Sequence, residues 1–139
     1  MSETYSAFQW TTTTMRADSA LMAAATGGVY QGYAPIGTTP PFAIVSQQVA
    51  TDVLTVNAVR LFVSILLQIK AIGPANNYAA LVTIADRIDA LFKSVRDVGL
   101  GTGGILSCYR EQSLSYEEII NGAQWSHLGG LYHIELQGV

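Results

Sequence analysis

Residues 58–73 read AVRLFVSILLQIKAIG. Odd positions carry Val59, Leu61, Val63, Ile65, Leu67 and Ile69, while even positions carry Arg60, Phe62, Ser64, Leu66, Gln68 and Lys70. A period of two with one wholly apolar face predicts a single long strand over 57–72. A helix is the rival reading, and the β-branched content together with the clean alternation favours the strand. Burying the odd face beneath a helix stabilises the fold by about 1.5–3 kcal/mol per side chain before entropy is counted.

The partner for that face follows directly. Gly73-Pro74 breaks the chain, Asn76 or Asn77 offers a cap, and a helix is predicted over 77–97. Tyr78, Leu81, Val82, Ala85, Ile88, Leu91, Phe92 and Val95 recur at spacings of three and four, forming one amphipathic stripe. Asp89, Lys93 and Asp97 stand four apart on the polar side and are expected to pair weakly, with Asp86 and Asp89 as solvated charges.

Upstream, MRADSALMAAAT follows Thr13 and Thr14 and precedes Gly27-Gly28, which predicts a helix over 14–26 with a threonine cap. Residues 1–13 read as an arm bearing Tyr5, Phe8 and Trp10, leaving 14–139 as a single domain. Val29 and Tyr30 predict a short strand. The loop APIGTTPP then runs into FAIVSQQV (42–49), where Pro41 fixes the first position at which pairing begins. GLGTGG (99–104) ends the second helix, because no GK[ST] follows to make it a phosphate loop. A strand over 105–119, an Asn121-Gly122 hairpin and a last strand over 125–137 complete the chain. The expected fold class is α+β: an antiparallel sheet of about four strands with two main helices packed on one face.

Composition narrows the function. Half of the 139 residues are apolar, only 12% are charged and the net charge is −3. Globular chains usually carry about 25% charged residues, so the surface is poor in ions. The most apolar stretch contains Arg60, Gln68 and Lys70 and falls short of the roughly 20 residues a membrane span needs. The N-terminal MSETYSAFQWTTTT has neither a basic nor an apolar leader region, which predicts no signal peptide. Seven scattered Lys and Arg make no basic patch for tight nucleic-acid binding, although a mildly acidic surface suits a passage through which DNA slides. The remaining explanation for so few ions is coverage by protein partners.

Candidate chemistry is sparse. Cys108 is single, which excludes an internal disulfide and fits a buried thiol. His127 and His133 share a strand face but stand about 20 Å apart, too far to ligate one metal, and read as surface or interface histidines. Glu117 and Glu118 read as solvated charges. No constellation meets the geometry of catalysis, so the expectation is a non-enzyme with no cofactor and no metal.

The segments GGVYQGYAPIGTTPPFAIVSQQ, YAALVTIADRIDALFKSV and HLGGLYHIELQ, together with the long alternating strand, resemble the tail-terminator (tail-completion, head–tail joining) proteins of long-tailed bacteriophages. The resemblance runs over about 15–137. It implies a virion structural protein of the tail or neck, made in the host cytoplasm and closing into a homohexameric ring. Such a ring ends polymerisation of the tail tube protein and meets a head-completion or stopper protein, with viral DNA passing through the centre and no membrane involved. The family carries no catalytic residues. Candidate assembly contacts are Tyr5, Phe8, Trp10, Tyr33, Pro35, Arg110 and Trp125. The edge strand over 105–116 is a further candidate joint. Competing readings are another virion joint or tube subunit, and a small-molecule-binding α+β domain.

Overall fold

The computed structural model describes residues 2–101 and 103–138. It contains helix α1 (Ser2–Ala17), helix α2 (Ser19–Ala24), strands β1 (Val29–Gln31), β2 (Phe42–Leu54) and β3 (Arg60–Pro74), a 3-10 turn over Ala75–Asn77, helix α3 (Tyr78–Phe92), and strands β4 (Ser94–Gly99), β5 (Gly104–Ile120) and β6 (Ala123–Gln137).

The long strand is β3, and it lies inside the sheet with β2 on one side and β6 on the other. Ile65, Leu67 and Ile69 are fully buried, and Val63 nearly so. Helix α3 packs over β3 and β6, contributing Leu81, Ile84, Ile88 and Phe92, each fully buried. Leu61 and Val59 continue the alternation but remain exposed, because they lie past the last β3–β6 pair, Val63 with Leu136.

The expected four-stranded antiparallel sheet is corrected. Six strands form one mixed sheet in the order β1-β2-β3-β6-β5-β4, curled into a half-barrel. Two short strands account for the difference. β1 runs parallel to β2, pairing Val29, Tyr30 and Gln31 with Ala43, Ile44 and Val45. β4 occupies residues that the helical spacing assigns to the end of α3. The helix stops at Phe92, and Val95 and Val98 then pack on the core from a strand paired with β5. Two apolar residues three apart satisfy either geometry here because Asp97, with φ 54°, interrupts the strand alternation between them.

The N-terminal helix also differs. α1 begins at Ser2, so the expected arm is helical and the predicted helix over 14–26 divides at Asp18, whose carboxylate caps α2 through the Leu21 amide at 2.8 Å. The threonine run reads as polar, yet Thr11 and Thr12 are fully buried. Their hydroxyls donate to the carbonyls of Ala7 (2.9 Å) and Phe8 (2.7 Å), satisfying themselves within the helix. α1 lies against β1, β2 and β6, and α2 lies on α3, so all three helices share one face of the sheet.

The curl has a local cause in the HLGGL stretch. A Cβ on Gly129 would overlap the Ile69 carbonyl, and one on Gly130 would stand 3.0 Å from the Gln112 carbonyl. β6 therefore approaches β3 more closely than a side chain allows and lies tightly against β5. Opposite it, β5 shifts register between Arg110 and Gln112. Asn121 and Gly122, with φ of 50° and 77°, turn β5 into β6 as a two-residue hairpin of the type their sequence favours. Substituting Gly129→Ala is expected to lower stability by about 1–3 kcal/mol, as overpacking does. Urea denaturation reads this as a lower midpoint with an unchanged slope.

Candidate functional site

The residues offered as assembly contacts fall into three places. The outer side of α1 carries Tyr5, Gln9 and Thr13 at helical spacing, with Gln9 Nε2 donating to the Tyr5 hydroxyl at 2.7 Å. On one flank, Tyr5, Trp10, Thr13, Thr14 and Leu100 line an open, mostly apolar cleft of about 340 Å³. On the other, Gln9, Arg16, Tyr30, Gln31, Tyr33 and Pro35 line a second hollow of about 380 Å³. Tyr5, Trp10, Tyr33 and Pro35 are thereby gathered round one surface. Tyr33 is 77% exposed, and Trp10 is half-buried, its ring edge-on to Phe92 at 5.4 Å. Phe8 instead turns inward and packs on the core.

Arg110 and Trp125 lie elsewhere. Arg110, on β5, holds Asp89 of α3 at 3.4 Å, and the same carboxylate accepts a hydrogen bond from the buried Tyr132 hydroxyl at 3.2 Å. Asp89 is therefore a structural acceptor tying helix to sheet, not the solvated charge its helical position implies. Trp125 is half-buried at the level of Pro74 and Glu118.

A surface missed by the sequence reading is the β2–β3 hairpin. Val49, Leu54, Val56, Val59 and Leu61 are all exposed, Val56 completely. Its base is tied to α1 by an ion pair between Arg60 and the buried Glu3. The signal was present in VATDVLTVNAVRL, where apolar residues continue on both sides of a turn with no helix available to cover them.

The face of the sheet opposite the helices carries two polar rows. Ser64, His133 and Tyr109 form a chain across β3, β6 and β5: the serine hydroxyl meets His133 Nε2, and the tyrosine hydroxyl lies 3.0 Å from Nδ1. Such a row locks three strands together. Where an acyl-transfer triad has a carboxylate behind the imidazole, this one has the Tyr109 hydroxyl. The second row is Lys70, Tyr116, His127 and Glu118. Lys70 donates to the Tyr116 hydroxyl at 2.6 Å, Tyr116 stacks on His127 at 4.3 Å, and His127 Nε2 stands 3.0 Å from Glu118. His127 is only 5% exposed, which corrects its reading as a surface residue. It became buried because Tyr116, on the neighbouring strand, covers it. Burial lowers its pKa below the ordinary value, against the opposing pull of Glu118.

Cys108 is buried, and burial pushes its thiol up to about 12, with Sγ donating to the Phe92 carbonyl at 3.4 Å. Among the described residues, no group of three or more His, Cys, Asp and Glu side chains is placed to hold a metal ion. No described helix is long and apolar enough to cross a membrane.

No family model matches the chain, and no curated protein matches it. Among solved structures, a chain described as "Virion of native gene transfer agent (GTA) particle" superposes with a TM-score of 0.69 at 15% sequence identity, covering 92% of each chain. At that identity, the likeness is one of fold.

The buried histidine gives a signed pH dependence. A folded-state pKa below the ordinary 6.5 means that the unfolded chain takes up the proton first on acidification. Stability is expected to hold above about pH 6.5 and to fall as pH drops below it. His127→Gln should remove that slope while leaving the further loss at lower pH. There Asp18, held below its usual range first by the Arg87 hydrogen bonds, and Glu3, held down first by a backbone hydrogen bond, take up protons. Urea midpoints measured across the pH range distinguish the two windows.

Proposed function

We propose that the chain is a structural, non-enzymatic protein of a phage-like virion, forming a ring at the head-proximal end of a tail tube. The ring, six-fold on this reading, ends tube polymerisation, joins the tube to a head-completion protein and lets DNA pass through its centre. The single observation that carries the proposal is the fold shared across 92% of the chain with a component of a virion particle. The surface is compatible. A closed ring is a heterologous assembly in which each subunit presents two different patches. This chain has separate apolar features in the β2–β3 hairpin and the cleft beside α1. Exposed apolar patches of a few hundred Å² mark interaction sites, and a ring subunit keeps them covered.

The loop 34–41 fits the same role. Tyr33 and Ile36 are exposed, and Pro35, Pro40 and Pro41 limit the conformations lost when a partner arrives. The test is addition of the purified protein to polymerising tail tubes. Capped tubes of limited length that carry the protein at one end support the reading. Unlimited growth with the protein left in the supernatant contradicts it. Pro35→Gly is expected to reduce tube binding by several-fold or more while shifting the urea midpoint little. Equal loss of binding and of stability would remove the loop from the interface.

A further inference from the structure

We infer that copies of this chain join edge to edge, β2 of one copy pairing antiparallel with β5 of the next, so that the sheet continues from subunit to subunit. This rests on the ring reading for its biological setting but not for its physics.

The sheet's outermost strands are too short to cover their neighbours. β1 pairs only with Ala43, Ile44 and Val45, followed by the Gly32 amide donating to the Val45 carbonyl at 2.8 Å. β4 pairs with β5 only as far as Tyr109. Among the described residues, the outer edge of β2 from Ser46 to Leu54 and that of β5 from Arg110 to Ile120 therefore have no strand beside them. Long unpaired edges are normally blunted by proline or by charge. The β2 segment SQQVATDVL has no proline and a single charge, Asp52.

The two edges suit each other better than themselves. β5 carries Glu111, Glu117 and Glu118 against one Arg110, so pairing it with its own copy sets like charges opposite one another. Joined β2 to β5, the face away from the helices places Val49, Thr51 and Val53 beside Tyr116, Leu114 and Gln112, an uncharged seam. Within one chain the order β2-β3-β6-β5 is antiparallel at every step, so β2 and β5 point in opposite directions. Rotation about a ring axis from which the strands are tilted keeps the sense of each strand from one subunit to the next, and the junction is antiparallel like the rest.

Their heights fit as well. Ala43 is level with Ser115 through Ala71 and Leu128. The middle of the open β2 edge, Ala50, lies six ladder pairs further along, because the register shifts between Gln47 and Val49, roughly 20 Å. Joining the edges therefore staggers each subunit along the strand direction relative to the last. Such a stagger is what a sheet needs in order to tilt and close. β1 and β4 sit at opposite ends of the sheet, so the open lengths of β2 and β5 meet only with this stagger.

The backbone alternation gives the variants. Ala50, across from Ile65, and Ser115, across from Leu128, turn their amides to the open side. Proline at either position removes an outward N–H and no internal ladder bond. Ala50→Pro and Ser115→Pro are expected to keep the wild-type circular dichroism spectrum and to fall from an oligomer to the 14.9 kDa single chain in light scattering. Each variant retains one sound edge, so an equimolar mixture should give a dimer and nothing larger. Folded variants that assemble as the wild type does, or a mixture that stays monomeric, would overturn the proposal. If the proline variants fail to fold, hydrogen exchange of the wild type decides. The outward-facing amides within 46–54 and 110–120, among them those of Ala50 and Ser115, should gain at least tenfold protection as concentration rises from dissociated to assembled. Unchanged rates, or a wild type monomeric at every concentration, would refute it. Self-association without tube capping would refute the virion role alone.

Discussion

Everything in this molecule depends on the odd face of β3 being roofed by α3. Ile65, Leu67 and Ile69 are fully buried in one core with Leu81, Ile84, Ile88 and Phe92. It sets the layer order, because a helix covering β3 must also cover the adjacent β6, where Tyr132, Ile134 and Leu136 point the same way. α1 and α2 then fill what remains. Trp10, Phe92 and Tyr132 stack edge to face in succession, at 5.4 and 6.0 Å. Arg87 grips the Asp18 carboxylate with both Nε and Nη2, locking the junction of α1 and α2 onto α3.

Because all three helices lie on one face, the other face and the strand edges must find different solutions. The uncovered face uses polar rows that hydrogen-bond and stack across strands, Ser64–His133–Tyr109 and Lys70–Tyr116–His127–Glu118. The edges use very short outer strands at opposite ends, leaving two staggered lengths of backbone open. Glycines at 129 and 130 curl the sheet between them. A low charge count, which would be a liability on an isolated subunit, suits one whose flanks are covered by other protein.

Elements with strong periodicity were legible in the sequence. The alternation of β3, the stripe of α3, the Asn121-Gly122 turn and the last strand stand close to where those patterns place them. What escaped was decided by tertiary context. Val95 and Val98 serve a helix or a strand equally well, and only the filled core at Phe92 ends the helix. The polar run of Thr11 and Thr12 gave no sign of burial, since its hydroxyls bond within their own helix. β1 is three residues long and is held by a parallel neighbour fourteen positions away, beyond any local pattern. The candidate contacts were legible only in part. Tyr5, Trp10, Tyr33 and Pro35 converge because α1 extends to Ser2, whereas Arg110 was drawn to Asp89 by the position of α3. The hairpin at 49–61 was overlooked because its alternation reads as a strand end rather than as exposed surface.

The central claim is that this chain covers its open edges and apolar flanks with copies of itself. Single-particle electron microscopy of the purified protein in its assembled form tests that most directly. Closed rings with a central passage and strand density continuous between subunits are the expected image. Isolated globules, open filaments, or rings whose sheets stop at each subunit boundary would contradict it.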